Sequence, residues 1–229
     1  MERSPAQLSR CESLAAAFAA AADPGRATAM AHYMKDHFAF FGIATPARRA
    51  IQRDVLGRWR PSEPELVAFA DAAWARPERE LQYAACDLLA RNAARCSAAL
   101  LDDLERWIIH KSWWDSVDAL AHSVGDLVLA HPHLAAVMDR WIDADDFWLA
   151  RVAILHQLRY KAATDPDRLF AYCTRRAGDS EFFIRKAIGW ALREYAKTDP
   201  DAVVAYVGVH EAQLSPLSRR EALRRIPAT

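Results

Sequence analysis

Three short stretches of this 229-residue chain set aromatic rings beside charges at helical spacing. In Lys111-Ser112-Trp113-Trp114-Asp115-Ser116-Val117-Asp118, Trp114 and Asp118 stand four residues apart, so a helix puts an indole and a carboxylate on one face. In Glu181–Thr198, Trp190 shares its side of a helix with Lys186, Arg193, Glu194 and Lys197. Cations around a flat ring suit a nucleic acid, offering charge to phosphate and a surface to sugar or base. Between these stretches, Phe147–Leu155 is apolar nearly all round and holds one charge, Arg151, which needs an anionic partner. That partner is a phosphate or an acidic side chain of the protein; residue type alone leaves both open. Each stretch also has a plain structural reading. Trp114 and Trp190 can be rings covered by a neighbouring helix, and Asp118 an ordinary surface charge.

Helices must position these groups. Only seven glycines occur, no Asn-Gly or Asp-Gly hairpin signal is present, and apolar residues recur at three- and four-residue intervals. Breaks fall at Asp23-Pro24-Gly25, Thr45-Pro46, Arg60-Pro61-Ser62, Arg76-Pro77, His131-Pro132, Asp165-Pro166, Asp199-Pro200 and Ser215-Pro216, and many read as helix starts with proline in the first turn. The segments between them make about a dozen helices, whose pairs recur loosely every ~35–40 residues, as in solenoids of the HEAT type. Thr164-Asp165-Pro166 returns as Thr198-Asp199-Pro200. The expected fold is therefore all-α: a superhelix of HEAT-like helix pairs with a concave face, forming a single domain over residues 1–229.

The same periodicity sorts neighbouring residues. Trp113, Val117, Leu120, Val124, Leu127 and Val128 form an apolar arc, which makes Trp113 the core tryptophan and leaves Trp114 and Asp118 on another face. Ser112 and Asp115 resemble a capping box, placing the helix start at about Trp113. On the later helix the apolar arc is Ile184, Ile188, Ala191, Leu192 and Tyr195, with Trp190 almost opposite.

Composition narrows the function. The chain carries 30 basic and 30 acidic residues, but residues 147–229 hold 14 basic against 9 acidic, so a neutral total hides a basic part. No apolar run is long enough to span a bilayer, and Met1–Arg10 lack an apolar signal segment. Cys11, Cys86, Cys96 and Cys173 show no CxxC spacing and read as reduced, buried thiols, pointing to a cytoplasmic location in the bacterial cytosol or nucleoid. HExxH, Walker A, GxGxxG and GxSxG motifs are all missing, so no metal site, cofactor or nucleotide cofactor is expected.

Taken together, KSWWDSVD at Lys111–Asp118, WLARVAIL at Trp148–Leu155 and EFFIRKAIGWALREYAKT at Glu181–Thr198 resemble the AlkD family of DNA alkylation repair glycosylases. YMKDHFAFFGI at Tyr33–Ile43, ERELQYAACDLL at Glu78–Leu89 and SRREALRRI at Ser218–Ile226 extend the resemblance over nearly the whole chain. It implies an enzyme that grips duplex DNA and cleaves the N-glycosidic bond of N3- or N7-alkylated purines. These are cationic leaving groups that need no protonation. By the same resemblance Asp118 is the catalytic carboxylate, stabilising an oxocarbenium-like sugar and positioning water. Trp114 and Trp190 pack against the deoxyribose and offer ring faces to the cation. Arg151 holds a phosphate of the lesion strand. The lesion stays in or near the stack, unlike the flipped bases of most glycosylases. Arg48, Lys111, Arg185, Lys186, Arg193, Arg219 and Arg220 are further candidate DNA contacts. A monomer is expected, without membrane association. The alternative is a HEAT-like scaffold that binds DNA or a protein partner without catalysis.

Overall fold

The computed structural model describes residues 5–226, with side chains from residue 10 onward. The chain is all-α. Thirteen α-helices occur among the described residues: α1 (Pro5–Ala20), α2 (Pro24–Tyr33), α3 (Thr45–Leu56), α4 (Glu63–Ala75), α5 (Arg79–Asn92), α6 (Leu100–Ile109), α7 (Trp114–Ala130), α8 (Ala135–Trp141), α9 (Phe147–Leu155), α10 (Pro166–Arg175), α11 (Phe182–Tyr195), α12 (Pro200–Val209) and α13 (Pro216–Leu223). No strand is found among them; one isolated bridge joins Ala39 and Glu78.

Helix starts follow the expected chemistry. Asp23, Asp165 and Asp199 each stand before a proline and accept from the backbone N–H of Arg26, Arg168 and Ala202, at 2.9, 3.0 and 2.9 Å. The aspartate satisfies a first-turn donor, and the proline occupies a position that has no use for one. The repeated Thr-Asp-Pro is thus one start signal used twice.

The fold divides into two compact units, Met1–Asn92 and Ala93–Thr229. In the first, α1 packs on α3 and α4, and α4 on α5. The fully buried Glu80 carboxylate accepts from the backbone N–H groups of Phe41, Gly42 and Ile43, at 3.0, 2.8 and 3.1 Å. An anion buried there is tolerated because three donors replace its water.

In the second unit the odd-numbered helices pack in a row, α7 on α9, α9 on α11 and α11 on α13. Two glycines let this row close up. A Cβ at Gly125 would lie 2.0 Å from the His156 carbonyl oxygen, and one at Gly189 would lie 2.6 Å from Glu221 Cβ. The core of this unit includes Leu104, Trp107, Val117, Leu120, Val124, Leu127, Ile184, Ile188 and Leu192, all fully or nearly fully buried. The apolar arcs expected for α7 and α11 face inward, except that Trp113, which stands before α7, and Tyr195 are only half-buried. All four cysteines are buried free thiols. No helix among the described residues is long and apolar enough to cross a membrane.

Candidate active site

The helix that carries Trp114 and Asp118 starts one residue later than expected. Trp113 is its N-cap, in extended conformation and without a side-chain cap bond. Ser112 is no cap: its Oγ donates to the Ile108 carbonyl at 2.7 Å. The expected capping box fails because a start at Trp114 makes Asp115 the second helical residue, not the third. Asp115 still lies in the first turn, where the helix dipole favours an acid. A true box forms elsewhere, where Glu65 accepts from both the N–H and the Oγ of Ser62 at 2.8 Å.

Extended backbone at position 113 sends the two adjacent tryptophans to different places. Trp113 joins a cluster with Phe147, Trp148 and Phe183. Its ring meets Phe183 edge-on at 5.2 Å and Trp148 at 6.0 Å. Trp148 lies 4.6 Å from Phe147 and 4.9 Å from Phe183. Trp114 lies half-buried one turn before Asp118 on α7.

Asp118 and Arg151 are joined by a fork. Arg151 Nε donates to Oδ1 at 2.7 Å and Nη2 to Oδ2 at 2.9 Å. The third arm, Nη1, donates to the Phe183 carbonyl on α11. Only 3% of the Arg151 side chain is exposed, against 17% for Asp118. The guanidinium is therefore consumed within the protein, and the expectation that it holds a phosphate is corrected. Of the two partners open to it, the acidic side chain is the one it has. Its helix packs against both α7 and α11, and a buried guanidinium needs every donor met. The arrangement leaves the carboxylate at the surface and the cation beneath it.

Trp190 is half-buried on α11, away from the buried Ile184, Ile188, Ala191 and Leu192. Its cationic setting is thinner than the sequence suggested. Arg193 is paired with Glu221 of α13, and Lys197 with Glu194 at 2.6 Å. Burial raises the affinity of Glu221 for a proton, but Arg193, Lys186 and Arg224 outweigh it and hold the carboxyl below its ordinary value. Lys186 and Arg220 are exposed. Arg185 Nε donates to the Asp179 carbonyl at 2.7 Å, and Arg219 pairs with Glu211 at 2.6 Å. Lys111 adopts a left-handed backbone, φ 53°, in the turn before α7.

Arg48 is a second correction. In the first unit its side chain is 4% exposed, pairing with Asp87 at 2.8 Å and donating to Gln52 Oε1 at 3.1 Å. A side chain so enclosed is a strut between α3 and α5, out of reach of a phosphate.

Sequence reasoning also missed a second rung, between α7 and the turn that follows α9. Asp126 and Arg159 meet at 3.6 Å. The signal was available: Asp118 and Asp126 stand eight residues apart, as do Arg151 and Arg159. Between the rungs, on the face of Trp114 and Asp118, lies half-buried His122. Burial and Arg159 hold its pKa below the ordinary value, outweighing Asp118 and Asp126. Among the described residues no three His, Cys, Asp or Glu side chains gather as metal ligands.

Comparison with known proteins bears on the whole chain. Residues 14–226 match the family model described as DNA alkylation repair enzyme. A solved structure, a predicted DNA alkylation repair enzyme from Enterococcus faecalis, superposes with a TM-score of 0.83 at 35% identity, covering 91% of this chain and 98% of that one. No curated protein matches.

Proposed function

The chain belongs to the DNA alkylation repair enzyme family, and on that premise we propose that it is a monofunctional DNA glycosylase. Its substrate is duplex DNA carrying positively charged N3- or N7-alkylated purines, and it acts as a monomer, both units serving one repair domain of HEAT-like helix pairs. The observation that carries the reading is the fork: a carboxylate fixed by two parallel hydrogen bonds, presented one turn from an indole.

The chemistry follows from charge. An alkylated purine leaves as a neutral base, so the barrier lies in the positive charge that develops on the sugar. Asp118 opposes that charge from a fixed position and needs no reorganisation as it appears. Arg151 is a positioning residue that sets the plane of the carboxylate. Each carboxylate oxygen keeps a lone pair beyond those given to Arg151, enough to hold the attacking water. Trp114 and Trp190 offer ring faces to sugar and cation. Trp113, Trp148 and Phe183 pack on one another beside the fork and so are engaged with each other, consistent with a lesion that stays stacked.

The test is release of 7-methylguanine from duplex DNA by the unmodified protein and by Asp118→Asn. We expect release by the first and a loss of at least ~100-fold by the second. DNA binding without release by the unmodified protein would sink the enzyme reading in favour of a non-catalytic scaffold. Equal release by both would remove Asp118 from the mechanism.

A further inference from the structure

We propose that His122 accepts the proton that the attacking water gives up during cleavage. This rests on the glycosylase reading and adds a residue to it.

The reaction leaves one proton over. The C1′–N bond breaks and its electron pair neutralises the cationic purine. The water oxygen bonds to C1′, and one of its hydrogens must leave. Asp118 is well placed to oppose positive charge and hold the water, but it already accepts two hydrogen bonds from Arg151. A second group beside the same water is better suited to take the proton.

Helix α7 places one there. Trp114, Asp118, His122 and Asp126 recur at four-residue intervals, so they form one stripe with neighbouring side chains about 5–6 Å apart at Cβ. Of the two outer acids, Asp118 is held by the Arg151 fork, and Asp126 faces the more exposed Arg159 at 3.6 Å. His122 lies between these rungs, half-buried. The charges acting on it are Arg159, from the turn after α9, and Asp118 and Asp126 from its own helix. From the turn after α9, Tyr160 also reaches α7, its hydroxyl donating to the Gly125 carbonyl at 2.7 Å. Burial, aided by Arg159, keeps the imidazole pKa below its usual value, so at neutral pH the ring retains a free acceptor nitrogen. A ring protonated there would also place a cation beside the developing oxocarbenium.

The sign follows. As pH falls through the lowered pKa, His122 takes up a proton from solvent and can no longer take one from water, so the rate declines. Single-turnover release of 7-methylguanine from duplex DNA, followed from pH 5 to 9 and corrected for spontaneous loss, should show this acidic limb. In His122→Ala and His122→Gln the plateau should drop by ~100-fold or more and the limb should vanish. Added imidazole should restore part of the rate to His122→Ala and none to Asp118→Asn. Circular dichroism and DNA affinity at pH 7.5 should match the unmodified protein.

An unchanged limb in His122→Ala, with a plateau within twofold of the unmodified protein, overturns the proposal while sparing the glycosylase reading. So does DNA affinity that tightens as pH falls and loses that trend in the variant, which would make His122 a phosphate contact. If the variants misfold and imidazole restores nothing, the residue is structural and the proposal fails. No release by the unmodified protein at any pH overturns the glycosylase reading, and this proposal with it.

Discussion

Arg151 and Asp118 lie 33 residues apart in sequence and meet through two parallel hydrogen bonds of 2.7 and 2.9 Å. The cation is sealed beneath the carboxylate. Its third arm reaches Phe183, so one side chain ties together α7, α9 and α11. Removing either partner therefore has effects that can be told apart from the loss of a DNA contact.

Arg151→Ala should reduce 7-methylguanine release about as much as Asp118→Asn does, and the double variant should be little worse than either, because the two act as a unit. The salt dependence of DNA binding should not change, since no phosphate contact is lost. Arg151→Lys should fail to restore activity because an ammonium cannot make the fork. A shallower salt slope in Arg151→Ala would return the residue to the DNA.

Exposed and buried cations should separate in binding assays. Lys186→Ala and Arg220→Ala should each lower the slope of log affinity against log salt by ~1, with folding stability kept within about 0.5 kcal/mol. Arg48→Ala should do the reverse, sparing the slope and costing about 1–3 kcal/mol, because Gln52 would lose a buried partner while Asp87 keeps only the exposed Arg49. Fluorescence anisotropy across a salt series and urea unfolding give the two readouts.

Stability should depend on His156. The ring is fully enclosed, and its Nδ1–H donates to the Ala153 carbonyl at 2.7 Å. Burial pushes its pKa down from 6.5 to about 4; the Ala153 hydrogen bond opposes this and Arg168 adds to it. The unfolded chain therefore binds a proton that the folded one refuses. The stability contributed is complete above pH 6.5 and is lost as pH falls from there toward 4, by about 3 kcal/mol in all. Urea unfolding at pH 7.5 and 5 should reveal the decline. A stability that holds level over that range would contradict it.

Gly189→Ala should weaken the contact of α11 with α13 by about 1–3 kcal/mol, since its Cβ would meet Glu221 Cβ at 2.6 Å and the Ser218 carbonyl oxygen at 3.0 Å. Gly125→Ala should cost more, because its obstacle is the His156 carbonyl oxygen at 2.0 Å, a backbone atom that cannot swing aside. Thermal melts of both variants rank them.

Much of this was legible in the sequence, for definite reasons. Helical periodicity picks out Val117, Leu120, Val124, Leu127 and Val128 because burial on one side of α7 imposes it, whereas Trp113 parts from Trp114 through its extended backbone before the helix. Asp-Pro marks helix starts because the cap chemistry is local. What lay beyond reach was pairing across helices. Arg151 was plainly in need of an anion, yet only packing decides between Asp118 and a phosphate. Arg48 reads as a surface cation from its helix and is buried by another helix. The charge surplus of residues 147–229 overstates the free cations for the same reason: Arg168, Arg176 and Arg193 are spent on Asp139, Asp179 and Glu221.

The two rungs that α7 makes with α9 and the turn after it share a single offset. Asp118 meets Arg151 and Asp126 meets Arg159, each pair 33 positions apart. A matched pair of this kind works as a two-tooth key. Sliding one helix by a single turn would strip both acids of their partners at once, although the buried fork at Arg151 carries most of the cost. A one-residue deletion between Arg151 and Arg159 would break the shared offset, so that at most one rung could keep its partner.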